Sequence, residues 1–311
     1  MNAAETLRAA LFIRAPWSAV DGLFDHPAGL HPGAADGLLE LLPPGPVLDP
    51  FVGGGAVALA ARRAGRRFFG RDVSEAALCV TRARCWAPDA EQLRAYGSAV
   101  ARLAEVADAG VATAALPEPL RSAVQATLTS AETPRARRRL AAAAARAWAD
   151  SGARVPEHTP PPDLARADAR TLRLPASVAG ILTSPPYPGV YDYDRWTTGL
   201  RGARGQSGDI AEEIGARRGF DGLLEQATDT WRRDTLAWTR SAAAALQPGG
   251  RMVIVIGDGP RPDGPIDTRA ESIAAAEAAG LVFVEGATAE PGSRPSPRRE
   301  HALLFERPAG H

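Results

Sequence analysis

Short apolar runs that stop at an acid, a glycine or a proline recur along the chain, and several lead into stretches with helical patterning. The first, Pro46-Val47-Leu48-Asp49-Pro50-Phe51, reads as a buried strand leaving a sheet. Gly53, Gly54 and Gly55 then form a turn, residues 56–65 a helix, and residues 67–73 a second strand. This strand–loop–helix–strand unit opens a doubly wound α/β sheet. Residues 164–168 and 179–183 predict a third and a fourth strand. Residues 251–257 predict the fifth, introduced by Pro248-Gly249-Gly250. A helix over 268–279, a strand over 281–285 and a final strand over 300–306 bring the count to seven strands. The last two are close enough in sequence to pair antiparallel through a loop at 286–299.

Two stretches stand apart from this alternation. Residues 1–45 predict a helical or irregular lead-in ending at Pro43-Pro44-Gly45. Residues 87–157 are rich in Ala, Arg, Leu and Glu with few β-branched positions, which predicts an inserted helical subdomain. Thr133-Pro134 supplies a cap and a first-turn proline for a helix running to about Asp150. His158-Thr159-Pro160-Pro161-Pro162 closes the segment as a linker. The expected division is therefore 1–86 for the lead-in and first half of the core, 87–157 for the insertion, and 158–311 for the second half.

Composition narrows the class. A chain of 311 residues with 45% hydrophobic content can build one large core. The 36 basic residues, all arginine, balance 36 acidic ones, so any nucleic-acid surface must be a local patch. The abundance of Ala, Arg, Gly and Pro fits a GC-rich coding sequence. Cys79 and Cys85 are too few for a disulfide framework or a zinc site. The first 17 residues hold no sustained apolar run, so no signal peptide, no membrane span and a cytoplasmic location are expected.

Two loops carry the candidate chemistry. Asp49-Pro50-Phe51-Val52-Gly53-Gly54-Gly55 sits between a strand and a helix, where glycines let a ligand approach the backbone. Asp72 ends the next strand, about 20 residues on, the spacing of an acid that binds ribose hydroxyls. The glycines do not spell G-x-G-x-x-G, which weakens a nicotinamide reading. Ser184-Pro185-Pro186-Tyr187 follows the strand end Ile181-Leu182-Thr183. Two prolines stiffen that loop and aim its carbonyls. The Ser184 hydroxyl and the Pro185 carbonyl can accept hydrogen bonds from an amino group, and Tyr187 offers a face for stacking a base. Pro-Pro-Tyr also occurs in segments bound by WW domains, but those are disordered, whereas this one leaves a buried strand.

With these two loops the sequence resembles the DNA amino-methyltransferases, which make N4-methylcytosine or N6-methyladenine. Their hallmarks, D-P-F-x-G-x-G and [D/N/S]-P-P-[Y/F/W], match Asp49–Gly55 and Ser184–Tyr187. The resemblance covers about residues 25–86 and 163–306. It implies a Rossmann-like, seven-stranded class I methyltransferase sheet with the last strand antiparallel, and S-adenosylmethionine as cofactor. Asp49, Pro50, Phe51, Gly53, Gly54 and Gly55 would bind the cofactor's methionine part, Asp72 its ribose, and Asp168 would lie beside its adenine. His31-Pro32 resembles the family's upstream helix, which also touches the methionine part. Gly54 replaces the usual small hydroxyl residue, and no separate C-terminal recognition domain is visible. Target recognition would then come from 87–157, from a loop at 188–235, or from a partner.

The resemblance implies transfer of the sulfonium methyl to an exocyclic base nitrogen held by Ser184 and Pro185, with the base stacked on Tyr187 and flipped out of the helix. The leading serine leans towards cytosine N4 in DNA, and the family's usual setting is restriction–modification. Adenine N6 and RNA remain open as targets. A non-catalytic cofactor-binding subunit stays as a different class, as does a protein-glutamine methyltransferase, although that family favours Asn at the serine position.

Further residues have two readings each. Arg135, Arg137, Arg138 and Arg139 either grip phosphates or form a solvated helix face. Tyr191, Tyr193 and Trp196 either wall a base pocket or pack locally. The charged stretch 212–218 lies in the same long connection. Asp258 reads as a turn acid, His301 as a structural strand residue, and the two cysteines as core residues.

Overall fold

The computed structural model describes residues 1–24, 29–206, 212–222, 224–260, 264–293 and 298–309. The chain opens with α1 (Ala3–Phe12) and α2 (Pro32–Leu39) and enters the sheet at β1 (Val47–Asp49). Then come α3 (Ala56–Arg63), β2 (Phe68–Asp72) and α4 (Glu75–Arg84). Four helices follow: α5 (Ala90–Leu103), α6 (Ala109–Thr113), α7 (Leu120–Thr129) and α8 (Pro134–Gly152). The sheet resumes at β3 (Asp163–Arg166) and β4 (Val178–Thr183), followed by the short α9 (Tyr193–Trp196) and α10 (Thr198–Ala203). The last part is α11 (Leu224–Ala245), β5 (Leu246–Gly257), α12 (Thr268–Ala278), β6 (Val282–Ala289) and β7 (Glu300–Glu306).

The seven strands form one sheet in the order β3-β2-β1-β4-β5-β7-β6. β1 to β5 pair in parallel, and β7 runs antiparallel to β5 and β6. This is the seven-stranded, Rossmann-like α/β sheet with its last strand antiparallel that the resemblance implies. β4 is buried at every position because helices cover both faces, so it reads as a continuous apolar run rather than an alternation. The pleat divides each strand's residues between two cores. Val47, Phe68, Leu182 and Val253 join the apolar cluster beneath α1–α5, α7 and α8. Leu48, Phe69, Ile181 and Ile254 join the cluster beneath α11 and α12.

The helices over 90–152 share the first of these clusters. Trp148 Nε1 donates to Ala83 O at 2.8 Å, and its ring meets those of Trp86 and Tyr96. Thr133 caps α8 as its sequence suggests, its hydroxyl accepting the Ala136 N–H.

One expectation is overturned. The connection 188–235 is not a loop throughout, because α9, α10 and the first half of α11 lie within it. α11 buries Trp231, Thr235, Trp238 and Ala242 on the sheet at helical spacing. Two strands are longer than expected: β5 begins at Leu246, and β6 pairs with β7 as far as Ala289 against Glu300. The middle of the expected 286–299 loop, residues 294–297, lies outside the described residues.

Strand order reverses between β1 and β4. The chain steps outward from β1 to β3, then returns to β1's other side, with Leu48 opposite Ile181. Such a switch point leaves a crevice at the carboxyl ends of the two strands. Both motif loops leave the sheet there.

Candidate functional site

Asp49 ends β1 and is almost fully buried. Its Oδ1 accepts the Phe51 N–H at 3.0 Å and the Thr183 hydroxyl at 2.7 Å. Thr183 is the last residue of β4, so this carboxyl ties the glycine loop to the Ser184 loop across the switch point. Burial pushes the Asp49 carboxyl up to about 7, against the lowering effect of its hydrogen bonds from Thr183 and Phe51.

The glycine loop is held from behind by α4. Thr81 Oγ1 donates to Gly53 O at 2.9 Å, and Arg84 Nη1 donates to Gly54 O at 2.6 Å. Gly55 has φ +82°, and a Cβ on it would lie 2.7 Å from Thr81 Oγ1. Only glycine meets both demands without strain. Asp72, at the end of β2, accepts the Gly53 N–H at 3.0 Å and the Ser74 N–H at 2.9 Å. Each carboxylate oxygen therefore keeps a lone pair for a ligand. Burial pushes Asp72 up to about 6, with the backbone N–H groups of Ser74 and Gly53 pulling the other way.

These elements enclose a cavity of about 1200 Å³ including its open mouth. Asp49, Pro50, Phe51, Gly53, Gly54 and Gly55 line it. So do Asp72 and Asp168, which follow β2 and β3 on the same side of the switch point, and Ser184 and Pro186, which follow β4 across it. Burial opposes ionisation of Asp168, but Arg170 outweighs it through side-chain and backbone hydrogen bonds and holds the carboxyl below its usual value. Arg170 also reaches Asp234 of α11 at 3.0 Å.

A second cavity, about 1000 Å³ with its mouth, opens on the other side of Ser184. Tyr187, Tyr191, His31 and residues 10–14 line it. Tyr187 packs on β5: a Cβ on Gly257 would sit 2.7 Å from Tyr187 Cε2. Ser184, Trp17, Gly29 and Leu30 line both cavities. Among the described residues no hydrogen bond engages the Ser184 hydroxyl.

Two expected site residues lie elsewhere. His31 does not line the first cavity, although its neighbour Pro32 does. Its ring caps α2 by accepting the Gly33 N–H and turns towards Ala15 O, which carries it into the second cavity. Pro185 is buried and lines neither cavity, so Ser184 is the acceptor brought to the junction.

The aromatic connection is organised by charge. Asp192 and Asp194 are buried and pair with Arg217 and Arg218, and Glu213 accepts the Tyr193 N–H at 2.6 Å. Tyr193, Glu212 and Glu213 thereby reach the first cavity and Tyr191 the second. The Trp196 side chain lies outside the described residues. In α8, Arg137 donates to the carbonyls of Ala104, Val106 and Ala131, and Arg138 pairs with Glu105, while Arg135 and Arg139 are exposed.

Asp258 and His301 are buried away from both cavities, with Thr268 and Arg299 also bonded to Asp258. Asp267 brings a third potential ligand atom near them, but the Arg299 guanidinium on Asp258 already neutralises that corner. Burial pushes both cysteine thiols up to about 11, which leaves them unreactive. Among the described residues no helix is long and apolar enough to cross a membrane.

Sequence reasoning missed Thr183, Thr81 and Arg84, whose roles depend on which helix lies behind the loop. It also missed Trp17 and Gly257, which are brought to the site from distant parts of the chain.

No family model matches the chain, and no curated protein matches it. Among solved structures it is similar to TrmN from Thermus thermophilus, at 18% identity and a TM-score of 0.44, over 90% of this chain and 50% of that one. It is similar to the glycopeptide N-methyltransferase MtfA in complex with S-adenosylmethionine, at 11% identity and a TM-score of 0.42, over 90% and 87% of the two chains. It is also similar to a candidate DNA modification methylase from Thermus thermophilus, at 22% identity and a TM-score of 0.30, over 47% and 52%. The chain thus spans about half the length of TrmN. Likeness at this level assigns neither ligand nor substrate.

Proposed function

We infer that the chain is an S-adenosylmethionine-dependent methyltransferase acting on an exocyclic amino group of a nucleic-acid base, with cytosine N4 in DNA as the target. The observation that carries this reading is the position of Ser184, at the junction of two cavities. One has the features of a cofactor site, and the other is a recess lined by Tyr187 and Tyr191.

The first cavity fits the cofactor. Gly53, Gly54 and Gly55 leave the backbone bare for the methionine part, and Asp72 keeps two acceptor positions for ribose hydroxyls. Residues 167–169 supply the wall for adenine. When bound, the cofactor supplies a sulfonium methyl for in-line transfer. Ser184 Oγ would accept a hydrogen bond from the amino N–H, which holds the nitrogen in place and favours its lone pair pointing at that methyl. Tyr187 would stack on the base. No strong base is required before transfer, because the positive charge passes from sulfur to nitrogen and the proton leaves afterwards. A duplex base must leave its stack to reach Ser184, so the substrate is flipped or single-stranded.

Incubation with methyl-labelled S-adenosylmethionine and host DNA or RNA, followed by digestion to nucleosides and mass spectrometry, tests this. Labelled N4-methyl-2′-deoxycytidine from DNA is the expected product. Label on adenine N6 would change the base, and label on RNA alone would change the nucleic acid. Label only in protein, or none at all, would overturn the reading.

A further inference from the structure

Residues 13–17 follow α1, and Ile13, Arg14 and Trp17 line the second cavity. They are seated on the start of α2: a Cβ on Gly33 would fall 2.6 Å from Ile13 Cδ1. His31 fastens the same segment. Its Nε2 lies 3.0 Å from Ala15 O, and its Nδ1 accepts the Gly33 N–H at 3.1 Å. A carbonyl only accepts, so these two partners assign the proton to Nε2. The ring edge also meets Trp17, with centroids 6.0 Å apart and planes at 88°.

Trp17 is 48% exposed, whereas Trp86, Trp148, Trp231 and Trp238 are at most 7% exposed. A single exposed aromatic is unremarkable on a surface, so its location decides. Trp17 lines both cavities, as Ser184 does, and among the described residues it is the one aromatic side chain that lines both. A large, half-exposed ring thus lines the same two cavities as the hydroxyl that would receive the amino group.

We propose that Trp17 stacks on the base delivered to Ser184, and that His31 acts through Trp17 as a positioning residue. This rests on the nucleic-acid reading above and adds a contact that neither motif loop supplies. Stacking tolerates any base, because every base has a π face. Trp17 therefore governs capture of the nucleotide, and base identity is left to other groups in the cavity.

The test uses the full chain with S-adenosylhomocysteine, an oligo-dC probe and an abasic oligomer of equal length. Trp17→Ala is expected to weaken oligo-dC binding about 5- to 100-fold, the range of one stacked base. Binding of the abasic oligomer should be unchanged, and Trp17→Phe should restore most of the lost affinity. Oligo-dC should quench the intrinsic fluorescence of the wild type, and Trp17→Phe should lose that quenching. His31→Asn retains an acceptor for the Gly33 N–H, so Tm should hold, while the lost reach to Ala15 gives an intermediate affinity. In steady state the Trp17 variants should raise KM far more than they lower kcat.

Wild-type affinity in Trp17→Ala or retained quenching in Trp17→Phe would overturn the proposal, as would an equal loss of affinity of Trp17→Ala for the abasic oligomer. If wild type methylates a nucleic acid while Trp17 proves neutral, this inference alone falls. If wild type neither binds nor methylates any nucleic acid, the reading beneath it falls as well.

Discussion

Around the first cavity the largest group of lining residues comes from the short stretch between Asp49 and Ser74, with bare glycine backbone and the buried carboxyls of Asp49 and Asp72. Around the second they are side chains from α1, the start of α2, the Ser184 loop and the ends of β5 and β7. The first is held by hydrogen bonds: the Phe51 and Gly53 N–H groups are pinned on Asp49 and Asp72, and Gly53 and Gly55 take the positive φ that the turn requires. The second is shaped by ring packing and by one histidine strut. A cofactor shared by many enzymes suits a backbone cradle, whereas a substrate is chosen by side chains that can vary without unfolding the sheet. The two regions should therefore fail differently.

The largest effect is expected at Gly55. Gly55→Val places a β-branched residue at positive φ, costing about 1–3 kcal/mol of backbone strain before Thr81 is displaced. Calorimetric titration should show cofactor binding abolished, with a lowered Tm. Cofactor affinity equal to wild type would mean that the loop is not the cradle.

Next comes Asp72→Ala, expected to weaken cofactor binding by about 1–3 kcal/mol through lost charge-assisted hydrogen bonds. The Asp72 carboxyl must be ionised to accept from two hydroxyls, and burial has raised it to about 6. Cofactor affinity should then rise with pH through about 6 and level off above it. A flat profile in the wild type would remove Asp72 from the ribose.

Tyr187→Ala belongs to the other cavity. It should lower kcat/KM for the nucleic acid by about 1–3 kcal/mol, the worth of one stacked base, with cofactor titration unchanged. A parallel loss of cofactor affinity would merge the two cavities into one site.

A different kind of effect falls on stability. The Asp49 carboxyl is raised from 3.8 to about 7 by burial, so between those values the folded state keeps a proton that the unfolded state has lost. Its contribution is full below the lower value and fades as pH rises through the upper one. Asp49→Asn should flatten that part of the denaturation profile, since an amide oxygen can still accept from Phe51 and Thr183. An unchanged slope would show that Asp49 ionises freely.

The contrast also explains what the sequence makes legible. β4 and β7 stand out because covered strands carry unbroken apolar runs. The glycine loop of the first cavity is equally plain, since Asp49–Gly55 are consecutive and its glycines answer to backbone geometry. α11 hides because Thr228, Thr235 and Thr239 occupy its buried face and blur the apolar period. Trp17 and Gly257 hide for another reason: only the tertiary fold brings them to Ser184. His31 shows the limit of motif position alone, since capping α2 turns its ring into the neighbouring cavity.

The central claim is that methyl transfer happens where the two cavities meet at Ser184. Single-turnover methylation of DNA by wild type and by Ser184→Ala, each saturated with cofactor by calorimetry, tests it directly. The account expects the variant to bind cofactor normally and to transfer methyl about 100-fold more slowly, the scale of one lost transition-state hydrogen bond. Wild-type rates in Ser184→Ala would contradict it and place the chemistry elsewhere in the molecule.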